Sequence, residues 1–323
     1  MRLLNVCVLN VYLLLWREKL PYMPTFVGRY VLLSHYVGWK VSIMNQNKYK
    51  QSPMNYTGNK YKLLPQLLPL FPDADEVATF YDAFCGGLAV SLNVPYINIH
   101  CSDIESPLIR IYELMKNYDG DFERRIDDAL TYFDVRPDNE AGYMAMRKFY
   151  NTKPEAPILL CALLFTSYNA LYRFNSAGEY NAPFGFDKNT FNESKRRCLK
   201  DLVAFLKQDT VRVDCVSYKK LTPSAGDFVY CDPPYLITGA AYNDGWGHTQ
   251  EYELLRWLDS INELDVKFGV SNVLRHQGKV NVPLLNWSKK YTVHELNHKY
   301  TTYANGKHRN FPTQEVYVCN YTK

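Results

Sequence analysis

The chain of 323 residues contains no apolar run as long as the roughly 18 residues that a membrane-spanning helix needs. It has no C-x-x-C pair and no paired Cys/His spacing, so nothing in it points to a zinc site. No internal repeat or low-complexity tract interrupts it. An excess of positive charge is also missing where it would count. The formal net charge of +4 comes from 37 Lys+Arg against 33 Asp+Glu, but residues 1–53 hold seven of the cations and only one acid, Glu18. The remaining chain has 30 basic against 32 acidic residues. A polyanion partner would therefore have to be met by local clusters, since phosphate contacts need grouped cations rather than a global sum. The clusters available are Lys195–Arg196–Arg197 with Lys200, Lys219–Lys220, Lys289–Lys290 and Lys307–His308–Arg309.

What remains is ordinary globular composition: 47% hydrophobic and 22% charged, which excludes a disordered chain, with 27 Tyr among its aromatics. Eight Cys are scattered, several in apolar strand-like runs, and read as reduced core residues of a cytoplasmic protein. Residues 1–53 begin with one Arg and an apolar stretch, like a short signal peptide without a cleavage site, and end in a polar linker. They read as an extension outside the main fold, with Met44 and Met54 as alternative starts. A short docking helix is the rival reading.

From residue 54 a pattern emerges. Residues 60–70 read as a short helix with Leu63, Leu64, Leu67 and Leu68 on one face. Residues 77–84 form a strand that runs into the turn Cys85–Gly86–Gly87. A helix over 88–94, a second strand over 96–102 and then Asp103 follow. Strand, glycine turn, helix, strand, acid is half of a doubly wound α/β sheet. Residues 106–165 carry helical periods, 167–186 read as a hairpin or ordered loop, and 191–208 as a helix. A strand over 227–231, a helix over 249–264, and strands over 266–271, 290–296 and 315–320 complete the alternation.

Three features carry chemistry. Gly86 and Gly87 at a strand end allow a ligand to approach the backbone without meeting a Cβ. Asp103, 21 positions after Asp82, is placed either to accept hydrogen bonds from ribose hydroxyls or to cap the following helix. Asp232–Pro233–Pro234–Tyr235 is the most specific. Two prolines after a buried strand remove two donors and stiffen the turn, so a carboxylate and a rigid carbonyl can hold both hydrogens of an aromatic amine. The adjacent aromatic face can stack on a planar base.

Asn55–Tyr56–Thr57–Gly58–Asn59–Lys60, Phe84–Cys85–Gly86–Gly87, Asn169 to Asn175 with Asn181 to Gly185, and Asp232 to Tyr235 occur in the order found in Dam-type DNA adenine methyltransferases of the D12 class. The stretches 232–238, 268–274 and 287–291 look especially like the Dam enzymes of T-even bacteriophages. The resemblance covers residues 54–323. It implies a Rossmann-like, S-adenosylmethionine-dependent sheet made of 54–105 and 208–323, with a mainly helical target-recognition insert at 106–207. Tyr56 and Lys60 would help close the cofactor pocket, Phe84, Gly86 and Gly87 form its loop, and Asp103 hold the ribose. Asp232, Pro233, Pro234 and Tyr235 would form the catalytic corner, with Asp232 near both cofactor and target amine. Leu171, Arg173 and Asn175 would meet double-stranded DNA, Leu171 as a wedge and Arg173 on guanine. The site favoured is GATC and the target base is flipped. No metal, membrane or obligatory protein partner is implied. One departure stands out: Leu88 occupies the position where many relatives have the last glycine of the loop, which bears on cofactor affinity. Methyl transfer to cytosine, to RNA or to a protein glutamine remains open at this point, as does a DNA-binding relative without activity.

Overall fold

A computed structural model describes residues 48–323 except 57, 186–190, 239–244, 298–300, 305–306 and 311–312; for 301–304 and 307–310 it describes the backbone alone. The centre is a sheet whose strands follow the order β3, β2, β1, β4, β5, β10, β7. They are β1 (Phe80–Asp82), β2 (Ile99–Asp103), β3 (Val211–Cys215), β4 (Phe228–Cys231), β5 (Lys267–His276), β7 (Thr292–Leu296) and β10 (Thr313–Cys319). The short β6 (Lys279–Val280) pairs with β5, and β8 (Thr301–Ala304) with β9 (Lys307–Asn310) forms a separate ribbon. The first five strands of that order run parallel, and β10 is antiparallel to both of its neighbours. Winding proceeds outward from β1 through β2 to β3, then restarts on the other side of β1 at β4. Open α/β sheets bind ligands at such a reversal, beyond the carboxyl ends of the strands.

The sheet is covered on both faces, as parallel sheets require. Along β4, Phe228 and Tyr230 enter one core while Val229 and Cys231 enter the other. The helix α7 (His248–Asn262) lays Leu254, Leu255, Leu258 and Ile261 on the second face. On the first face lie Leu63, Leu64 and Leu67 of a composite helical segment, Lys60–Leu63, α1 (Leu64–Leu67) and Leu68–Leu70, in which two prolines sit at tolerated first-turn positions. The same core continues into α2 (Ser106–Asn117), α3 (Phe122–Tyr132), α4 (Glu140–Thr152), α5 (Pro157–Thr166) and α6 (Glu193–Leu206). Asp121, Asn139 and Asn192 cap the starts of α3, α4 and α6 by accepting backbone N–H bonds. α5 is buried on every side from Leu159 to Thr166 and packs against α2, α3 and α4, which explains its lack of a polar face.

The structure departs from the sequence pattern in a few places. Residues 88–94 form turns rather than a helix, because Leu88 takes a left-handed φ of 60° and Pro95 disfavours a helical Val94. The fold also takes up the chain earlier than residue 54. Lys50 exchanges backbone bonds with the Asn93 side chain, Tyr61 donates to the Tyr49 carbonyl, and Ser52 is buried. Residues 49–323 form one compact unit. The proposed signal-like stretch lies outside the described residues. Among the described residues no helix is long and apolar enough to cross a membrane.

Candidate active site

The first loop of the site follows β1. Asp82 ends the strand at 2% exposure, accepting a 2.6 Å bond from the Ser91 hydroxyl, while its Oδ1 is buried without a hydrogen-bond partner. Burial pushes this carboxyl up to about 7, helped by Asp232 and Asp103 nearby and opposed by Ser91. The chain then bends through Gly86, at φ 40°, and the buried Leu88. A Cβ on Gly86 would lie 2.9 Å from the Tyr56 ring, so the close approach of Tyr56 depends on glycine there. Asp103, at the end of β2, accepts from the Gly86 N–H at 2.9 Å and the Glu105 N–H at 3.1 Å. It therefore ties the bend to the start of α2, and burial holds its carboxyl above the usual range despite these bonds. Tyr112 of α2 donates to the Gly86 carbonyl at 2.7 Å and fixes the bend from below.

The second loop follows β4, beside β1 in parallel register. Here Asp232 Oδ2 lies 2.7 Å from the Lys60 ammonium, and Tyr235 OH is 3.1 Å from Asp232 Oδ1. Burial pushes the Asp232 carboxyl up, opposed mainly by Lys60. Tyr56 and Lys60 belong to one short segment, and this segment links the two loops: its Tyr packs on the glycine bend and its Lys pairs with Asp232. Phe84 stands half-buried against Tyr218 and Trp246.

Tyr235 differs from the open stacking platform expected of it. It is only 6% exposed, its hydroxyl donates to Glu315 of β10 at 2.8 Å, and the Lys60 ammonium lies 5.0 Å over its ring. Glu315, 1% exposed and 3.8 Å from Lys60, is a site residue that motif reading missed; Asp82 stood at the head of the glycine-turn motif without a role of its own. Strand alternation carries a signal for Glu315, since it shares a face with Tyr317 and Cys319 and so points inward within an apolar strand.

The residues expected to meet DNA gather in the hairpin at 167–185, held by bridges between Ser167 and Phe184 and between Phe174 and Tyr180. Arg173 is exposed, and its Nε and Nη2 donate to Asn181. Asn175 shapes the tip by accepting from the Ala177 and Glu179 N–H groups. Leu171 is half-buried against the core, and its carbonyl accepts from Tyr180. Asn55 at the edge of the first loop donates to the Asn169 carbonyl at 2.6 Å, joining hairpin and site.

The basic clusters are mostly consumed internally. Arg196 pairs with Glu123 and Asp127, Lys200 with Glu123, and Lys195 donates to the Phe165 carbonyl. Lys219 pairs with Glu253 and Lys290 with Asp259. The side chains of Lys307, His308 and Arg309 lie outside the described residues.

Residues 56–302 match the family described as D12 class N6 adenine-specific DNA methyltransferase. The chain is 39% identical over 290 residues to the type II methyltransferase M.FokI of Planomicrobium okeanokoites, covering 85% of this chain and 44% of that protein. It is 36% identical over 298 residues to the modification methylase StsI of Streptococcus sanguinis, covering 87% and 44% respectively. A DNA adenine methylase of Serratia marcescens is 30% identical over 207 residues, 62% of this chain and 73% of the other. The chain thus spans less than half the length of the first two relatives. By the length of the family match and the identity to these relatives, the chain belongs to the D12 class of N6 adenine-specific DNA methyltransferases.

Proposed function

We propose that this chain transfers a methyl group from S-adenosylmethionine to the exocyclic amino nitrogen of adenine in duplex DNA. The observation that carries this reading is the joining of two loops by one segment: Tyr56 on the Gly86–Gly87 bend and Lys60 on Asp232. It ties the glycine bend, through Tyr56 and Lys60, to the Asp232 carboxylate.

The residues of the first loop suit S-adenosylmethionine. The Cβ-free faces of Gly86 and Gly87 let Tyr56 close over the bend, as a cofactor-pocket wall would need. Asp103 retains acceptor capacity for ribose hydroxyls beyond its two backbone bonds. The partnerless Oδ1 of Asp82 is a buried acceptor suited to a cationic end. When bound, the cofactor supplies an electrophilic methyl on sulfur. Asp232 and the Pro233 carbonyl accept the two amine hydrogens, which favours the pyramidal nitrogen whose lone pair attacks. Burial has already raised the proton affinity of Asp232, so it suits the proton that the methylated nitrogen releases. Positioning of the reacting atoms accounts for the rest of the acceleration.

The base must leave the duplex to reach this corner, at a cost of a few kcal/mol. We assign target recognition to residues 106–207, with Arg173 as the guanine reader, Leu171 beside it, and Asn175 fixing the hairpin tip. Stacking of the flipped adenine on Tyr235 needs the Lys60 cover to shift. GATC is the first candidate site, from the likeness to Dam enzymes; the names of two relatives, a type II methyltransferase and a modification methylase, support a role in restriction–modification.

The test is incubation of the purified chain with duplex DNA and tritiated-methyl S-adenosylmethionine, followed by nucleoside chromatography. Label in N6-methyl-2′-deoxyadenosine is expected. Label in methylcytosine, RNA or protein only, or no label, overturns the reading. Digestion of the product with nucleases that differ in their response to methylated GATC identifies the site.

A further inference from the structure

Glu315 is unusual among the site residues because no motif contains it, yet it is the most buried carboxylate of the corner at 1% exposure. The register between β10 and β5 steps from Gln314–Arg275 to Glu315–Val273, so the extra residue of the bulge is Leu274 of β5, and Glu315 keeps the inward face it shares with Tyr317 and Cys319. Here the carboxylate reaches Tyr235 OH at 2.8 Å and lies 3.8 Å from Lys60. Both of those donors also contact Asp232, Tyr235 at Oδ1 and Lys60 at Oδ2. Both oxygens of the Asp232 carboxylate are therefore engaged before any amine arrives.

A phenol carries one hydrogen, so Tyr235 can donate fully to only one of the two carboxylates at a time. The geometry favours Glu315, at 2.8 Å against 3.1 Å. If Glu315 were absent, the hydroxyl would turn to Asp232 and occupy the oxygen that an incoming amine needs. We propose, building on the methyl-transfer reading above, that Glu315 is a positioning residue: it retains the Tyr235 hydroxyl and so releases Asp232 Oδ1 to the amine of the target base. Its carboxylate also lies 3.8 Å from the Lys60 ammonium, which pairs with Asp232 and donates to the Gly58 carbonyl. A purely structural role is a weaker account of the same residue. Burying a carboxylate in an apolar strand costs stability unless it has partners, and two groups it meets, Tyr235 and Lys60, belong to the corner.

The experiment compares wild type, Glu315→Gln, Glu315→Ala, Tyr235→Phe and the double variant Glu315→Ala/Tyr235→Phe. The readouts are single-turnover methyl transfer, equilibrium binding of S-adenosylmethionine and thermal unfolding. Glu315→Gln keeps the shape and a carbonyl acceptor for Tyr235, so it should remain folded and retain most of the transfer rate. Glu315→Ala should slow transfer by about ten- to hundredfold while changing cofactor affinity far less. In the Tyr235→Phe background the same Ala substitution should have much less effect, because the hydroxyl it releases is gone. Full activity of Glu315→Ala overturns the proposal, as do rate effects of Glu315→Ala that simply multiply with those of Tyr235→Phe. So does a loss in Glu315→Gln as deep as in Glu315→Ala with unchanged unfolding. A wild type that transfers no methyl to DNA fails the methyl-transfer reading itself, which separates the two failures.

Discussion

At the scale of single residues, Asp232 and Asp82 are the two carboxyls whose burial has separate consequences. Asp232→Ala leaves Lys60 with Glu315 as an acidic neighbour, so the ammonium is not stranded and the fold should persist. Methyl transfer should fall by at least about 10³-fold, as expected when a preorganised acceptor is removed. Tritium transfer measured together with thermal unfolding checks both halves, and wild-type turnover in a folded Asp232→Ala refutes the assignment. Asp82 bears on stability instead. Its folded pKa of about 7 lies above its ordinary value of 3.8. In that window the folded state therefore binds more protons than the unfolded chain, and stability falls as pH rises from about 4 to 7. Asp82→Asn cannot ionise and should keep the Ser91 contact. Its stability curve should be flatter over this range, and above pH 7 it should be more stable than wild type. Urea unfolding from pH 4 to 8 tests this; parallel curves for the two proteins would rule it out.

Among the elements, the glycine bend shows where sequence patterns stop being legible. The turn residues Gly86 and Gly87 mark the bend, but the expected helix over 88–94 is absent because a buried Leu adopts a conformation that glycine usually fills. Periodicity cannot reveal a left-handed Leu; only the packing around it holds it there. Its effect on stability gives an unusual ordering. Leu88→Ala removes the buried side chain, at a cost of about 2–5 kcal/mol, and keeps the backbone strain. Leu88→Gly removes the same side chain but relieves about 1 kcal/mol or more of that strain, so it should be the less destabilising of the two. Denaturant unfolding of both variants decides this, with equal or reversed midpoints as the contrary result. The cation cluster on α6 gives a second lesson. In sequence, Lys195–Arg196–Arg197 resembles a phosphate contact; in space, Arg196 joins α6 to α3 through Glu123 and Asp127. Arg196→Met should lower stability by about 1–3 kcal/mol and leave the slope of log K against log salt for DNA binding unchanged. A slope reduced by about one would return Arg196 to the DNA interface.

For the molecule as a whole, the alternation of strands, the acid after β2 and the Asp-Pro-Pro-Tyr corner were all readable, because each depends on local chemistry and spacing. The partners brought in from far along the chain were not. Glu315 reaches Tyr235 across 80 positions, and Asn55 reaches Asn169 across 114. The boundary of the fold was displaced for the same reason. Polar residues 49–53 look like linker, but Lys50 is held by Asn93, 43 positions away, and Tyr49 by Tyr61. This gives a direct comparison of the two internal methionines as starting points. A chain beginning at Met44 retains both contacts and the buried Ser52, whereas one beginning at Met54 loses them and uncovers the turn at Ala89–Asn93 beneath the glycine bend. Three hydrogen bonds at about 0.5–1.5 kcal/mol each, partly exposed, amount to a few kcal/mol. The Met44 form should therefore melt several degrees higher than the Met54 form, and it should bind S-adenosylmethionine more tightly because Asn93 anchors the loop that carries Gly86. Equal melting temperatures and equal cofactor binding in the two forms would mean that residues 49–53 rest on the fold without supporting it.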